Sequence, residues 1–304
     1  MRKFAKKTIV FFILVLVIAK GIDVIITHYF LQSGYYKPLW LNKIKNQNLD
    51  YVLLGNSRVY STIDVGEIEK STDLKGLNLG LDGSNFASQL LMLKIFHKNN
   101  NHTQKVLLQV DPTVYTAEDN DRFAAYNFLP LLEKKYVFEH YKALGNEYYL
   151  YKYIPLLKYG KFNFKWSIEN LVKLKLNRWN PPYDQYGSYL HDDKYQGDSL
   201  QHFENTNIPE PNLYLQKIIN YCKVNDIELI LFTAPYIDYD IENEAVIDGF
   251  NNTIRGYNLP YYTYHNLLRK DYDLFYDNNH ININGVRIFN KKIESILLKE
   301  NTHL

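Results

Sequence analysis

Short apolar runs, each bounded by polar or turn-forming residues, recur along most of the chain. Four of them span 51–54, 105–112, 227–235 and 259–265, and a fifth begins the segment 75–85. Runs of this length are typical of β-strands, and their continuous apolar character indicates burial on both faces. The pattern therefore predicts about five buried strands.

Helical patterns follow several of these runs. Apolar residues recur at near-helical spacing over about 86–98, 211–225 and 284–298. Ser84 or Asn85 is placed to cap the first of these helices. Strands that alternate with helices predict a flavodoxin-like three-layer α/β/α fold with a central parallel sheet.

A long segment separates the third predicted strand from the fourth. Residues 113–224 are too many for a loop and are rich in Tyr, Lys and Trp. We predict a large, mostly helical, aromatic-rich insertion after the third strand, with an irregular stretch at about 178–210. The insertion is predicted to belong to a single α/β domain that spans residues 30–304.

The N-terminal segment is apolar over about 8–28 and follows four basic residues, Arg2, Lys3, Lys6 and Lys7. About 20 apolar residues cross a hydrocarbon core, so residues 1–29 are predicted to form a transmembrane anchor. The basic flank predicts that the N-terminus lies on the cytoplasmic side of the cytoplasmic membrane and that the domain lies on its outer side. A signal peptide cleaved after 17–19 and a buried core helix are the alternatives.

Composition narrows the class of protein. The chain is 46% hydrophobic, so it is expected to fold, and its formal net charge of +2 argues against nucleic-acid binding. Cys222 is the single cysteine, which excludes an internal disulfide framework and a zinc site built on several thiolates. The histidines show no metal-ligand spacing outside the motif described below, so we expect no metal and no cofactor.

Three segments carry candidate chemistry. Ser57 lies on a tight turn directly after the first strand, where its hydroxyl would be exposed. Gly80 and Gly83 follow the second strand, and a glycine N–H can approach a substrate oxygen closely. Asp277 and His280 are three residues apart, just before the last helix.

These segments are expected to meet at one edge of the sheet, because ligands bind at the carboxyl ends of parallel strands. There the imidazole of His280 would lie near the Ser57 hydroxyl, and Asp277 would orient the other ring nitrogen. The plain alternatives are a helix cap for Ser57, a turn glycine for Gly83 and a turn residue for Asp277.

Taken together, the motifs resemble those of SGNH (GDSL-type) hydrolases. The resemblance rests on three motifs: GNSR after the first strand, N-x-G-x-x-G after the second, and D-x-x-H before the last helix. The motifs and the predicted N-terminal anchor together resemble, more narrowly, the membrane-anchored envelope branch of these hydrolases. Members of that branch acylate or deacylate cell-surface polymers. The resemblance covers residues 1–112 and 227–298.

The resemblance implies a role for each matching residue. Ser57 would be the nucleophile, His280 the general base and Asp277 the residue that orients it. The backbone N–H groups of Ser57 and Gly83 would form the oxyanion hole.

The chain departs from the family after the third strand. The family has a Gly-x-Asn-Asp motif there, whose Asn donates to the oxyanion, whereas this chain has Gln-Val-Asp-Pro at 109–112. An ionised Asp cannot donate a hydrogen bond. We expect Asp111 to position Arg58, and Asn56 or Asn85 to be the candidate replacement donor. Arg58, Asn85 and Asp111 are thus the further candidates for oxyanion or substrate binding.

The function expected from these features is a membrane-anchored serine esterase or O-acyltransferase. It would act on an envelope glycan or a related acylated polymer, through an acyl-serine, and a membrane-bound partner protein could deliver the acyl group. The alternative is a non-catalytic envelope binding or assembly protein that keeps the fold. A cytoplasmic flavodoxin-like regulator would require residues 8–28 to be buried.

Overall fold

The computed structural model describes residues 1–34, 36–116, 122–160, 169, 172–173, 175–176, 181–192, 195, 211–237 and 241–299. The strands are β1 (Asn48–Leu54), β2 (Gly76–Asn78), β3 (His102–Gln109), β4 (Glu228–Phe232) and β5 (Tyr261–Tyr262). The helices before β3 are α1 (Arg2–Ser33), α2 (Lys37–Leu41), α3 (Ser57–Tyr60), α4 (Val65–Thr72) and α5 (Phe86–Lys98). Those after it are α6 (Pro112–Thr116), α7 (Arg122–Tyr126), α8 (Lys135–Leu144), α9 (Glu147–Tyr153), α10 (Leu213–Val224), α11 (Ile241–Arg255) and α12 (Ile283–Lys299). Short 3₁₀ helices lie at Leu129–Leu131 and Tyr272–Leu274.

The five strands form one parallel sheet in the order β2-β1-β3-β4-β5. The predicted α/β fold with a five-stranded parallel sheet is therefore confirmed. The direction in which the sheet grows reverses after β2. β2 pairs with one edge of β1, and β3 pairs with the opposite edge of β1. The carboxyl ends of strands at such a switch point border a crevice in which α/β proteins bind ligands.

Both faces of the sheet are covered. Successive side chains of a strand point to opposite faces, and Tyr51, Val52, Leu53 and Leu54 of β1 are all buried. Tyr51 and Leu53 share a core cluster with Ile68 of α4 and with residues of α12. On the other face α10 packs against β4 and α5, and α5 is buried along most of its length. This two-sided burial explains why the strands are continuously apolar.

Asparagine and aspartate side chains define where several helices begin. The Asn85 side chain accepts a hydrogen bond from the backbone N–H of Ser88 at 2.9 Å, which confirms Asn85 as the cap of α5. Asn56, Asp64 and Asn212 cap α3, α4 and α10 in the same way.

Helix α1 is 32 residues long and apolar enough to cross a membrane, although a signal sequence would meet the same criteria. Only 6% of its most apolar window is buried, so α1 is not a core helix. Its buried residues are confined to the C-terminal third, at Asp23, Thr27 and Phe30.

The described chain divides into two compact units. One contains residues 1–43 and 125–181, so that part of the predicted insertion groups with the N-terminal helix. The other contains residues 44–124 and 182–304, including the whole sheet. This division into compact units does not show where a membrane-spanning segment would end. The predicted end of the anchor at residue 29 therefore stays a prediction. Most of the stretch predicted to be irregular, 178–210, lies outside the described residues.

The burial of Cys222 on α10 leads to a prediction about its reactivity. Burial raises the pKa of this thiol to about 12. Because the thiolate is the reactive form, we expect the native thiol to react with an aromatic disulfide reagent at pH 8 about 10³-fold more slowly than an unfolded one. Stopped-flow absorbance with and without guanidinium measures this ratio. Equal rates in the two states would show that Cys222 is accessible.

Candidate active site

Three predicted residues meet in one hydrogen-bonded chain. Ser57 is the first residue of α3, and its Oγ lies 2.9 Å from Nε2 of His280. Nδ1 of the same imidazole lies 2.9 Å from both carboxylate oxygens of Asp277. The structure thus brings a hydroxyl, an imidazole and a carboxylate together from positions more than 200 residues apart.

The turn at 277–280 fixes the carboxylate against the imidazole. Asp277 Oδ1 accepts hydrogen bonds from the backbone N–H groups of Asn279 at 2.7 Å and His280 at 2.9 Å. The carbonyl of His280 in turn accepts from the N–H of Tyr276 at 2.8 Å. This local turn explains the spacing of three residues in the sequence motif.

The electrostatics of the pair favour an ionised Asp277. Burial acts to raise the pKa of this carboxyl, but the hydrogen bond and charge of His280 and two backbone N–H groups outweigh burial and hold the pKa below its usual value. An ionised carboxylate accepts a hydrogen bond from the protonated Nδ1 of His280. Nε2 is then the acceptor for the Ser57 hydroxyl, as a general base requires.

A glycine lets β1 and β3 approach closely at their carboxyl ends. A Cβ on Gly55 would lie 2.3 Å from a Val59 methyl and 2.7 Å from Oε1 of Gln109. That oxygen accepts a hydrogen bond from the backbone N–H of Asn56 at 3.3 Å. The close approach therefore sets the path of the chain just before Ser57.

The turn that contains Gly83 is tied to the same place. The carbonyl of Gly55 accepts from the N–H of Leu81 and from Oγ of Ser84, both at 3.0 Å. Gly83 has φ +62°, which explains the glycine. Within the described parts of the chain, the N–H groups of Ser57 and Gly83 donate to no protein acceptor. Both are thus available for an oxyanion, while the role itself stays a prediction.

The segment after β3, where the family motif is missing, forms a buried polar network. The carboxylate of Asp111 is fully buried and accepts from Arg58 Nη1 at 3.0 Å, as expected from the sequence. It also accepts from Gln109 Nε2, from the Thr113 hydroxyl at 2.6 Å and from the N–H of Val114 at 2.8 Å. Asp111 is therefore an acceptor throughout and supplies no donor at this edge.

Arg58 reaches further, to the segment after β4. Its Nη2 donates to the carbonyls of Ala234 and Pro235, both at 2.7 Å. Its guanidinium carbon lies 3.6 Å from the centre of the Tyr236 ring. With 3% of its side chain exposed, Arg58 binds three strand ends together, and a direct contact with substrate stays a prediction.

Asn85 and Asn56, the two candidate replacement donors, both act as helix caps through their side-chain oxygens. Asn85 is buried and Asn56 is half-buried at the turn before Ser57. Among the residues described, no acceptor faces the side-chain nitrogen of Asn56. Of the two, Asn56 is thus the better placed to donate to a ligand.

Residues 189–191, which sequence reasoning missed, form a strap across the site. The N–H of Tyr189 donates at 2.9 Å to the carbonyl of Tyr60, three residues after Ser57. The carbonyl of His191 accepts at 2.8 Å from the N–H of Ile283, three residues after His280. The 189–191 strap therefore links the two halves of the Ser–His pair.

Aromatic contacts reinforce the 189–191 strap. Tyr189 stacks on Tyr60 with ring centres 5.5 Å apart. His191 stacks on Tyr276 at 4.0 Å, nearly parallel, and its ring centre lies 5.7 Å from that of His280. Such pairs contribute about 0.5–1.5 kcal/mol each beyond their buried area. The abundance of tyrosine in the insertion was the only sequence signal for these contacts.

Metal-ligating side chains do not cluster in the described residues. No group of three or more His, Cys, Asp or Glu side chains there has the geometry of a metal site.

Solved structures match the chain over most of its length, at low TM-scores. One is a GDSL-like lipase from Bacteroides thetaiotaomicron, with 10% identity, a TM-score of 0.37, and coverage of 84% of this chain and 89% of that chain. Another is a protein described as an acylhydrolase from Bacteroides fragilis, with 12% identity, a TM-score of 0.38, and coverage of 90% and 97%. No protein-family model matches the chain, and no curated protein matches it in sequence. Similarity at this level leaves the function to be argued from the geometry of the site.

The buried Arg58–Asp111 pair gives a stability prediction. Asp111→Asn leaves the guanidinium charge buried without its counter-ion, so we expect a loss of about 3–5 kcal/mol in the free energy of unfolding. The double variant Arg58→Met/Asp111→Leu removes both charges. Its loss in the free energy of unfolding should be much smaller than the sum of the losses caused by Arg58→Met alone and by Asp111→Leu alone. Urea unfolding midpoints measure these differences.

The matched control is the more exposed pair of Arg269 and Glu244, whose closest charged atoms are 3.6 Å apart. Glu244→Gln should change the free energy of unfolding by less than about 1 kcal/mol. If Asp111→Asn were as mild as Glu244→Gln, the network after β3 would not hold the strand ends.

Proposed function

We propose that the protein is a serine esterase or O-acyltransferase of the SGNH (GDSL-type) superfamily. The observation that carries the proposal is the chain of hydrogen bonds from Ser57 Oγ through His280 to Asp277. It lies where β1 ends, at the edge of a parallel sheet where ligands bind. A serine used only as a helix cap would not need an imidazole on its hydroxyl, nor a carboxylate behind that imidazole.

The proposed reaction begins when Ser57 Oγ attacks the carbonyl carbon of an ester and its proton passes to Nε2 of His280. The resulting oxyanion accepts hydrogen bonds from the N–H groups of Ser57 and Gly83. His280 then gives the proton to the departing alcohol oxygen, the C–O bond breaks, and acyl-Ser57 is left. Water or a sugar hydroxyl attacks this ester while His280 takes its proton, and Ser57 is regenerated when His280 returns that proton to it.

The proposed location is the outer face of the cytoplasmic membrane, with α1 as an uncleaved single-pass anchor. The basic residues before the apolar segment support an N-terminus on the cytoplasmic side. Retention of the helix is supported by its continuity from Arg2 to Ser33, since cleavage after Ala19 would fall inside it. It would also fall beside Lys20, which pairs with Asp23 and Glu133 at 3.6 Å.

An anchored enzyme at that surface would act on an acylated envelope glycan or a related polymer. Hydrolysis and transfer share the acyl-serine, and they differ in whether water or a polymer hydroxyl reaches it. A transferase would receive its acyl group from a donor, for which we propose a membrane-bound partner protein.

One observation favours a second candidate, a non-catalytic envelope binding or assembly protein. The carboxylate of Asp111 occupies the place of the family's donor and is saturated with hydrogen-bond donors of the protein itself. Loss of one oxyanion donor costs about 10²–10³ in rate, so a protein with this fold could retain the site for binding alone.

The test is ester hydrolysis by the purified full-length chain in detergent, with p-nitrophenyl acetate as the substrate. We expect Ser57→Ala to lower kcat by about 10⁵–10⁶-fold and Asp277→Asn by about 10⁴-fold. A fluorophosphonate probe should label Ser57 in the native chain.

Ser71→Ala on α4 is the control, since the Ser71 hydroxyl contacts Glu294 at the surface and should leave the rate unchanged. Activity that survives Ser57→Ala would refute the acyl-serine mechanism. A folded chain without hydrolysis or probe labelling would favour the binding protein.

A further inference from the structure

The C-terminal third of α1 is docked within the unit of residues 1–43 and 125–181. The carboxylate of Asp23 is 3% exposed. It accepts a hydrogen bond from the backbone N–H of Leu156 at 3.0 Å and lies 3.2 Å from Nζ of Lys158. These contacts fix residues 154–158, directly after α9, at the level of Asp23 along the helix.

Two further contacts continue the docking along the same face of α1. The Thr27 hydroxyl lies 2.6 Å from the hydroxyl of Tyr159, and Phe30 stacks on the Tyr159 ring with centres 5.6 Å apart. The spacing of Asp23, Thr27 and Phe30 is that of one helix face. The opposite face, with Val24 and Ile25, is exposed.

The length of the apolar segment sets the depth of this junction in a bilayer. From Thr8 to Ile22 the helix rises only about 22 Å, which is less than the hydrocarbon thickness of about 30 Å. A bilayer that covers this segment would therefore also cover the exposed side chains of Val24 and Ile25. The level of Asp23, and of Leu156 bonded to it, would lie just inside the outer boundary of the hydrocarbon layer.

Helix α9, which ends three residues before Leu156, presents apolar side chains to its surroundings. Tyr148 and Tyr151 are buried, while the outward face carries Tyr149, Leu150, Tyr153 and Ile154. Leu150 is 52% and Tyr153 66% exposed. Phe138 of α8 packs edge-on against the Tyr149 ring with centres 5.3 Å apart, while most of Leu150 and Tyr153 stays uncovered.

Basic side chains flank this outward face. Nζ of Lys142 lies 5.3 Å from the centre of the Tyr149 ring, and Nζ of Lys152 lies 5.8 Å from that of Tyr153. Tyrosine rings with neighbouring lysines are typical of segments at the boundary between lipid headgroups and acyl chains. The lysine stems can reach outward to anionic headgroups.

We propose that the outward face of α9, formed by Tyr149, Leu150, Tyr153 and Ile154, is a second membrane contact that lies in the outer interface of the bilayer. The inference rests on the proposed anchoring through α1 and extends it. The occupant of the face is lipid, because the chain directly after the face is hydrogen-bonded through Leu156 to Asp23 of the proposed membrane-crossing helix. The segment would fix the tilt and rotation of α1 as well as its depth.

The experiment uses nitroxide labels on single introduced cysteines in the full chain, reconstituted in vesicles of phosphatidylethanolamine and phosphatidylglycerol. Labels replace Leu150 and Tyr153 in the α9 face, Leu14 in the middle of α1, and Leu298 on α12 as an exposed leucine in the sheet-containing unit. Electron paramagnetic resonance power saturation compares collisions with oxygen, which enters lipid, and with a water-soluble nickel chelate. The native chain, whose Cys222 is buried, is the blank.

We expect the oxygen-to-nickel collision ratio at positions 150 and 153 to be several-fold higher than at 298, and lower than at 14. Strong nickel collisions at 150 and 153 with a lipid-like ratio at 14 would overturn the α9 contact alone. Protection from both reagents at 150 and 153 would also overturn it, in favour of a protein partner. A water-like ratio at 14 would refute the anchor and this inference with it.

Discussion

The rest of the site depends on the hydrogen bonds that the buried guanidinium of Arg58 donates. It joins the helix that begins at Ser57 to Asp111 after β3 and to the carbonyls after β4, so three strand ends are held by one side chain. Removing the counter-ion of a charge with 3% exposure is strongly destabilising. The position of the Ser57 hydroxyl therefore depends on groups that take no part in the proposed chemistry.

The histidine side of the site is fixed differently. The 277–280 turn is local, and Asp277 binds both the backbone and the imidazole of His280. Besides the hydrogen bond between His280 and Ser57, the 189–191 strap connects this side of the site to the helix that begins at Ser57. The strap comes from the region predicted as an insertion. The insertion thus contributes to the geometry of the site.

Helix α1 combines two environments in one continuous element. Residues 9–18 are exposed and apolar, and the C-terminal third of the helix buries an aspartate against Lys158. A charge inside an otherwise apolar helix is costly in lipid unless it is paired. The pairing with Lys158 explains how the apolar helix accommodates the carboxylate of Asp23.

The sequence by itself determined the strands, the main helices and the three polar residues at the strand ends, because these depend on local apolar runs, caps and turns. It also showed that the usual donor after β3 is missing. Only the tertiary structure decided that Asp111 also accepts hydrogen bonds from Gln109 and Thr113, and that residues 189–191 cross the site. The contacts of the strap join residues that are far apart in the chain, so no local pattern encodes them.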